Sequence, residues 1–208
     1  RDYEPVIKNM MDSFGISHSS VSKEFTEQSS RRLEAFENRS LNEYDFISLF
    51  IDGKYLAKEQ VLIVLGVTIQ GDKIPIGFIQ TATENHKSIS ELLSSLVDRG
   101  LNYEDGLLVV IDGSKGIFKA VKKVFDKYAV IQRCQWHKRE NVLSYLPEDK
   151  ANDYRKRMNK AYRLESYDEA KTELEVILDD LKIDNMGASR SLQEGLEETL
   201  TLHRLGLY

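Results

Sequence analysis

Two apolar stretches of this chain each lead into an aspartate and a glycine, and this repeated feature limits the folds available to it. Phe46–Ile51 precedes Asp52-Gly53. Leu107–Ile111 precedes Asp112-Gly113 in the same way. Short apolar runs with β-branched residues predict buried strands, and a glycine lets the backbone turn sharply after them. We therefore expect two buried strands that each end on a carboxylate, at the sheet edge where α/β proteins bind ligands.

The segments around these strands predict a mixed α/β sheet. Gln60–Ile69 and Lys73–Ile79 have the pattern of strands, and Gln70-Gly71-Asp72 between them predicts a tight hairpin turn. Apolar residues at helical spacing predict a helix over His86–Arg99 and another after the second Asp-Gly, and Tyr128–Gln132 is a last strand. The predicted order is a three-strand meander followed by alternating helices and strands, with helices packed on the sheet.

Three regions follow from these patterns. We expect an N-terminal helical region at residues 1–42, a sheet-containing region at 43–146 and an all-helical region at 147–208. Region 1–42 is compatible with a helix-turn-helix that reads DNA and with a helical hairpin that docks on the next domain. We favour the hairpin because the region is not basic.

The two aspartates are the main candidates for chemistry. If their strands are parallel neighbours, Asp52 and Asp112 lie side by side, and two close carboxylates repel unless a proton or a cation separates them. Oxygen ligands from aspartate select hard ions such as Mg²⁺, which organise phosphoryl transfer. The alternative is an ordinary turn after each strand. Phosphatases of the haloacid dehalogenase type need a second aspartate two residues after the first. This chain has Lys54 there, which argues against that class.

Cys134 and His137 form a Cys-x-x-His motif. Structural zinc needs about four ligands, and the chain has no second cysteine, so we do not expect a zinc centre. The alternative is a packed cysteine and a surface histidine. The lone cysteine fits a reducing, cytoplasmic location, and the apolar runs are too short for a bilayer, so no membrane partner is expected.

The net charge of −5 argues against a nucleic-acid binder, but the charge is unevenly distributed. Residues 113–163 carry 14 basic and 5 acidic side chains, a net charge of +9, between two flanks of −7 each. Such a basic segment can attract phosphates locally, although the same pattern also arises from solvated helix faces. The candidate DNA-binding residues are Lys138, Arg139, Arg155, Lys156 and Arg157.

Several motifs together resemble a known family. Phe46–Lys54, Val61–Val67 and Thr83-Glu84-Asn85 are followed by Val109–Gly116 and by Gln132–Val142, which contains the Cys-x-x-His motif. This combination resembles the Mutator-like transposases of bacterial insertion sequences. The resemblance extends over most of the chain, and the joint spacing of the two Asp-Gly sites and the Cys-x-x-His motif is specific.

The resemblance implies a ribonuclease-H-like fold with an Asp-Asp-Glu triad, in which Asp52 and Asp112 match the first two acids and bind metal. It implies two Mg²⁺ (or Mn²⁺) ions, and DNA cleavage followed by strand transfer. The expected partners are terminal inverted repeats, target DNA and further copies of the chain in a homo-oligomer. Cys134 and His137 match an accessory signature, and residues 147–208 match the helical insertion before the third acid.

The chain departs from the family pattern at the third acid. The expected Thr-Asn-x-x-Glu-like stretch is absent, and Glu194, Glu197 and Glu198 resemble the segment just before it. We therefore expect this chain to be a truncated piece of a natural protein that begins upstream of Arg1. We expect that this piece does not transpose DNA by itself. Two alternatives remain: a catalytically incomplete module that binds DNA or dimerises, and a ribonuclease-H-like nuclease that only hydrolyses.

Overall fold

The computed structural model describes residues 18–56, 59–80 and 86–207. The chain divides into two compact units, residues 1–40 and 41–208. The described part of the first unit is one helix, α1 (His18–Glu37). Residues 1–17 lie outside the described residues, so the choice between a helix-turn-helix and a hairpin remains a prediction.

The second unit contains a five-stranded mixed sheet, which confirms the predicted α/β class. Its strands are β1 (Phe46–Leu56), β2 (Glu59–Thr68), β3 (Lys73–Gln80), β4 (Leu107–Ile111) and β5 (Ala129–Arg133). Their spatial order is β3-β2-β1-β4-β5. The first three strands are antiparallel neighbours, whereas β4 is parallel to β1 and β5 is parallel to β4.

Strand β1 is longer than predicted, because it does not end at Asp52. Asp52, Gly53 and Lys54 continue the strand and pair with Ile63, Leu62 and Val61 of β2. The backbone hydrogen bonds of this antiparallel ladder outweigh the local turn tendency of an Asp-Gly pair. The predicted turn is correct at the second site only, where Gly113 follows the end of β4 with φ +105°.

Two helices cover one face of the sheet and form its core. Helix α2 spans His86–Asp98 and helix α3 spans Lys115–Phe125, where the Ser114 hydroxyl caps α3 by accepting a hydrogen bond from the Ile117 amide. The apolar faces of both helices pack on alternate residues of the strands, including Leu49, Ile51, Leu62, Val64, Val109 and Ile111. This packing buries one face of the sheet. The strand residues that point to the other face stay accessible.

The rest of the chain is helical, as predicted. Its helices are α4 (Gln135–Leu143), α5 (Glu148–Ala161), α6 (Tyr167–Asp184), α7 (Met186–Gln193), α8 (Leu196–Thr199) and α9 (Thr201–Arg204). They enclose a second apolar core with members such as Met158, Leu174, Ile177, Leu181 and Leu192. The Gln132 side chain joins the last helices to β5, because it donates to the Thr199 carbonyl and accepts from the Leu202 amide. None of the helices in the described residues has the length and apolar character needed to span a membrane.

Candidate functional site

Asp52 and Asp112 meet at one place on the sheet. Ile51 of β1 pairs with Ile111 of β4, so the residues that follow them, Asp52 and Asp112, leave the parallel pair at the same level. Neighbouring strands lie about 4.8 Å apart. Both aspartates line a pocket of about 360 Å³. The adjacency on which the sequence-based hypothesis depended is therefore present.

Asp52 has two cationic or potentially cationic neighbours. The Lys54 ammonium lies 2.9 Å from one Asp52 oxygen, and His137 Nε2 lies 3.9 Å from the other. The hydrogen bond to Asp52 raises the pKa of Lys54 above its ordinary value. Each oxygen of this carboxylate thus has a cationic or potentially cationic group near it.

The backbone around Asp112 is held by the protein itself. The Ser114 amide donates to Asp112 Oδ1 over 2.8 Å. An added Cβ at Gly113 would lie 2.2 Å from Nε of Arg133, so a side chain there would require the arginine to move, and the φ of +105° is strained for any other residue. Arg133 also packs against Gly195 and donates to the carbonyl of Glu194. Arg133 was not among the predicted site residues, although its position directly after the predicted strand Tyr128–Gln132 was a usable signal.

The Cys-x-x-His motif borders the same pocket. The Cys134 amide donates to the Ile111 carbonyl over 2.7 Å, so the start of α4 is joined to the end of β4. Cys134 is a free thiol, and both Cys134 and His137 line the pocket with the two aspartates. His137 Nδ1 is buried and has no hydrogen-bond partner among the described residues. The structure therefore brings all four predicted residues together, while the role of Cys134 and His137 remains a prediction.

An apolar wall completes the pocket. Phe50 pairs across the sheet with Leu65 on one side and with Val110 on the other, and all three line the pocket. Phe50 remains 43% exposed, because the helices cover the opposite face of the sheet. A carboxylate pair beside such an apolar surface loses part of its hydration, which strengthens its attraction for a cation.

The donor set suits a hard divalent cation only in part. Among the described residues, no group of three or more His, Cys, Asp or Glu side chains is arranged to hold a metal ion. Two carboxylates at adjacent strand positions do provide oxygen ligands of the kind that Mg²⁺ prefers, with water filling the other positions. The residues present therefore fit a loosely held, largely hydrated ion between Asp52 and Asp112.

The structure corrects one predicted DNA-binding residue. Lys138 is fully buried, and its ammonium donates to the carbonyls of Ser191 and Glu194. Burial, together with the nearby Arg133, lowers the pKa of Lys138 to about 8. The side chain joins α4 to the last turn of α7 and to Glu194 just after it, and it is too buried to reach a DNA phosphate. The sequence did not reveal the burial of Lys138, because residue spacing does not distinguish a buried lysine from an exposed lysine in a basic segment.

We expect Lys138→Met to reduce the free energy of unfolding by about 1–3 kcal/mol, since the Ser191 carbonyl loses its donor. The folded pKa, about 8, lies below the unfolded value near 10.5, so the unfolded chain binds more protons between these limits. The contribution of Lys138 to the free energy of unfolding therefore rises with pH across this window. The destabilisation caused by Lys138→Met should rise with it. Urea denaturation at pH 7 and pH 9.5 measures this. Exposed Lys156→Met is the control, and a cost that falls as pH rises would contradict the prediction.

The other predicted DNA-binding residues are mostly engaged within the protein. Arg139 and Arg155 both pair with Glu140, and Arg157 pairs with Asp180. Lys156 is exposed and forms no ion pair within the described part of the chain. Three tyrosines lie among the basic residues that follow Lys138. Two of them, Tyr154 and Tyr162, pack in the helical core. Much of the basic character of residues 113–163 is thus balanced by internal acidic partners.

The three glutamates near the C-terminus occupy different places. Glu194 and Glu198 line a cavity of about 240 Å³ together with Gly113, Lys115 and Arg133, on the other side of the Asp112 turn. Glu197 pairs with Lys171 and accepts a hydrogen bond from Tyr167. None of the three lines the pocket that contains Asp52 and Asp112.

The chain is similar to transposases of insertion sequences. Residues 1–206 match the sequence profile described as "Transposase, Mutator family". The transposase for insertion sequence element IS6120 of Mycolicibacterium smegmatis is 30% identical over 81% of this chain and 53% of its own length. The transposase for IS905 of Lactococcus lactis is 32% identical over 79% of this chain and 42% of its own length. For the IS256 transposase of transposon Tn4001 in Staphylococcus aureus these values are 28%, 86% and 49%. The chain thus spans about half the length of the relatives it matches.

Proposed function

Because the chain belongs to the Mutator family of transposases, we propose that it carries two of the catalytic acids of an insertion-sequence transposase. The observation that supports this most directly is the position of Asp52 and Asp112 on adjacent parallel strands, beside one pocket. The proposed reactions are cleavage of the strand at the end of the element and its joining to target DNA. The proposed substrates are the terminal inverted repeats and the target duplex.

The proposed fold of the catalytic region is ribonuclease-H-like. A three-strand antiparallel meander followed by two parallel strands, with helices between them, supports this assignment. In this arrangement the first and fourth strands are central neighbours, so acids on them face the same substrate. The proposal predicts that the accessible face of the sheet, beside Phe50 and Val110, is the side on which DNA approaches.

Asp52 and Asp112 would hold Mg²⁺ or Mn²⁺, with two ions in the complete enzyme. The chemistry supplied there would be activation of a water or a 3′-hydroxyl for in-line attack and stabilisation of the leaving oxygen. The protein's own part is to fix the carboxylates. The Ser114 amide orients Asp112, and the paired backbone of β1 and β2 orients Asp52. His137 lies where it can orient a ligand or contact DNA, and Lys54 where it can meet a phosphate oxygen.

A second candidate is a DNA-binding or dimerising module without catalysis. It is favoured by the site itself, which has two carboxylates in its pocket among the described residues and not three. A homo-oligomer is part of both proposals. A nuclease that only hydrolyses is the third possibility, and it requires the same acids.

The products formed from labelled element-end DNA separate these functions. The protein, extended to its relatives' length, is incubated with that DNA, a target plasmid and Mg²⁺. Joined donor–target products support a transposase, shortened donor strands without joining support a nuclease, and a shifted but intact DNA supports a binding module. Absence of both binding and cleavage would contradict the proposed function.

We expect the double charge reversal Lys156→Glu/Lys160→Glu to weaken binding to any DNA sequence. Both side chains are exposed and lie four residues apart on α5, so they face the same way. Each lost phosphate contact should reduce the slope of log K against log salt by about 1. Fluorescence anisotropy over a salt series measures the slope.

The control for this pair is Arg190→Glu on α7, an exposed cation outside residues 113–163 that forms no ion pair within the described part of the chain. The original candidates Arg155 and Arg157 are poorer probes, because their reversal also breaks ion pairs with Glu140 and Asp180. An unchanged salt slope in the double variant would show that these lysines are only solvated.

A further inference from the structure

Trp136 is an exposed aromatic side chain next to the candidate site: it does not line the pocket of Asp52 and Asp112, but its ring contacts His137, which does. It is the only tryptophan of the chain, it lies in the first turn of α4, and its side chain is 56% exposed. Burial of a large aromatic side chain is strongly favourable, so its exposure beside a pocket suggests that another ring covers it during function.

One imidazole ring separates Trp136 from the candidate acids. The rings of Trp136 and His137 are 4.7 Å apart between centroids and nearly perpendicular, at 77°. His137 Nε2 also lies 3.9 Å from an Asp52 oxygen. The contact with His137 limits the freedom of the indole and connects it to the pocket through the imidazole ring.

The neighbours of Trp136 favour a small planar ligand over a protein partner. The residues around it on the start of α4 are polar or charged: Gln135, His137, Arg139 and Glu140. A stable interface between protein copies needs a contiguous, largely apolar patch. A lone exposed aromatic ring among polar groups is instead typical of a stacking platform for a nucleic-acid base.

We propose that Trp136 stacks on an unpaired base of the DNA strand whose phosphate lies at the Asp52–Asp112 pocket. The base must be unpaired, because a base inside a duplex already has neighbours on both of its faces. This inference rests on the proposed function, since the substrate strand brings the base to this place. Stacking of this kind tolerates any base, so Trp136 should favour frayed or single-stranded ends without selecting a sequence.

Tryptophan fluorescence of the 208-residue chain tests the proposal directly, because all of the signal comes from Trp136. A mixed-sequence single-stranded oligonucleotide and a duplex with a single-stranded overhang should quench the emission. A closed duplex without free ends should quench it much less at equal occupancy. Anisotropy of the labelled DNA reports binding independently of the tryptophan.

Variants provide the second measurement. Trp136→Ala should weaken binding of the overhang duplex on the order of tenfold, the effect of one lost stacked base, whereas Trp136→Phe should restore most of it. Tyr145→Ala is the matched control, because Tyr145 is similarly exposed, at 53%, in the same basic segment, whereas the ring contact with His137 of the pocket belongs to Trp136. It should leave the affinity unchanged.

The possible outcomes separate this inference from the proposed function. DNA that binds without quenching, or an unchanged affinity of Trp136→Ala, overturns the stacking role and leaves the proposed catalysis intact. Emission that changes with protein concentration in the absence of DNA shows that the indole contacts a second copy, which also overturns it. Cleavage that survives loss of Asp52 refutes the catalytic proposal even where quenching persists. A chain that binds none of these DNAs refutes the stacking role.

Discussion

Asp52→Asn and Asp112→Asn are each expected to reduce strand cleavage by at least about a hundredfold, while DNA binding persists. Asparagine keeps the shape of the side chain but removes the charge, so a metal ion between the two strands is held weakly or displaced. A displacement of about 1 Å at a reacting centre already costs on the order of a hundredfold in rate. The experiment uses the protein extended to its relatives' length, with cleavage of labelled element-end DNA and anisotropy as separate readouts.

Metal binding gives the same prediction a direct test on the 208-residue chain. Mn²⁺ titration followed by electron paramagnetic resonance should show a weak site that either substitution removes. Asp98→Asn is the matched control, since Asp98 is an exposed aspartate at the end of α2, away from the pocket. If both site variants cleave DNA at the wild-type rate, these aspartates are not the catalytic acids.

The 208-residue chain, taken alone, is expected to show no strand transfer. Mg²⁺ requires near-octahedral coordination, and the pocket offers two carboxylates from the described residues. An ion held by two ligands stays hydrated, and its position relative to the reacting oxygen is poorly fixed. The measurement incubates the purified chain with element-end DNA, target plasmid and Mg²⁺ or Mn²⁺, and looks for joined products.

Efficient strand transfer by the chain would require a third acid from within it, and the structure identifies where to look. Glu194 and Glu198 lie just across the Asp112 turn, beside Gly113, and a movement of that segment could bring one of them nearer. Glu197 is a poorer candidate, because Lys171 and Tyr167 engage its carboxylate. Glu194→Gln and Glu198→Gln, with Glu197→Gln as the comparison, would then show which residue had taken the role.

The sequence by itself determined which segments form the strands and the helices that cover the sheet, and their order along the chain. Short apolar runs bounded by turn residues located β2 to β5 to within one or two residues, and the spacing of apolar residues revealed α2 and α3. These signals are local, because a strand or helix with one buried face must repeat its apolar residues at the period of its own backbone. The aspartate after β4 was found from a local signal as well, because a short aliphatic run ended there and a glycine followed.

Only the tertiary structure decided what partners each residue has. Asp52 lies inside a strand and not at its end, because β2 pairs with β1 beyond the point where β4 stops. Arg155 and Arg157 look like surface cations in sequence, yet their partners come from other helices. The same holds for Lys138, whose two carbonyl acceptors lie more than fifty residues away along the chain. Periodicity cannot reveal such contacts, since they depend on which helix faces which strand once the two apolar cores have formed.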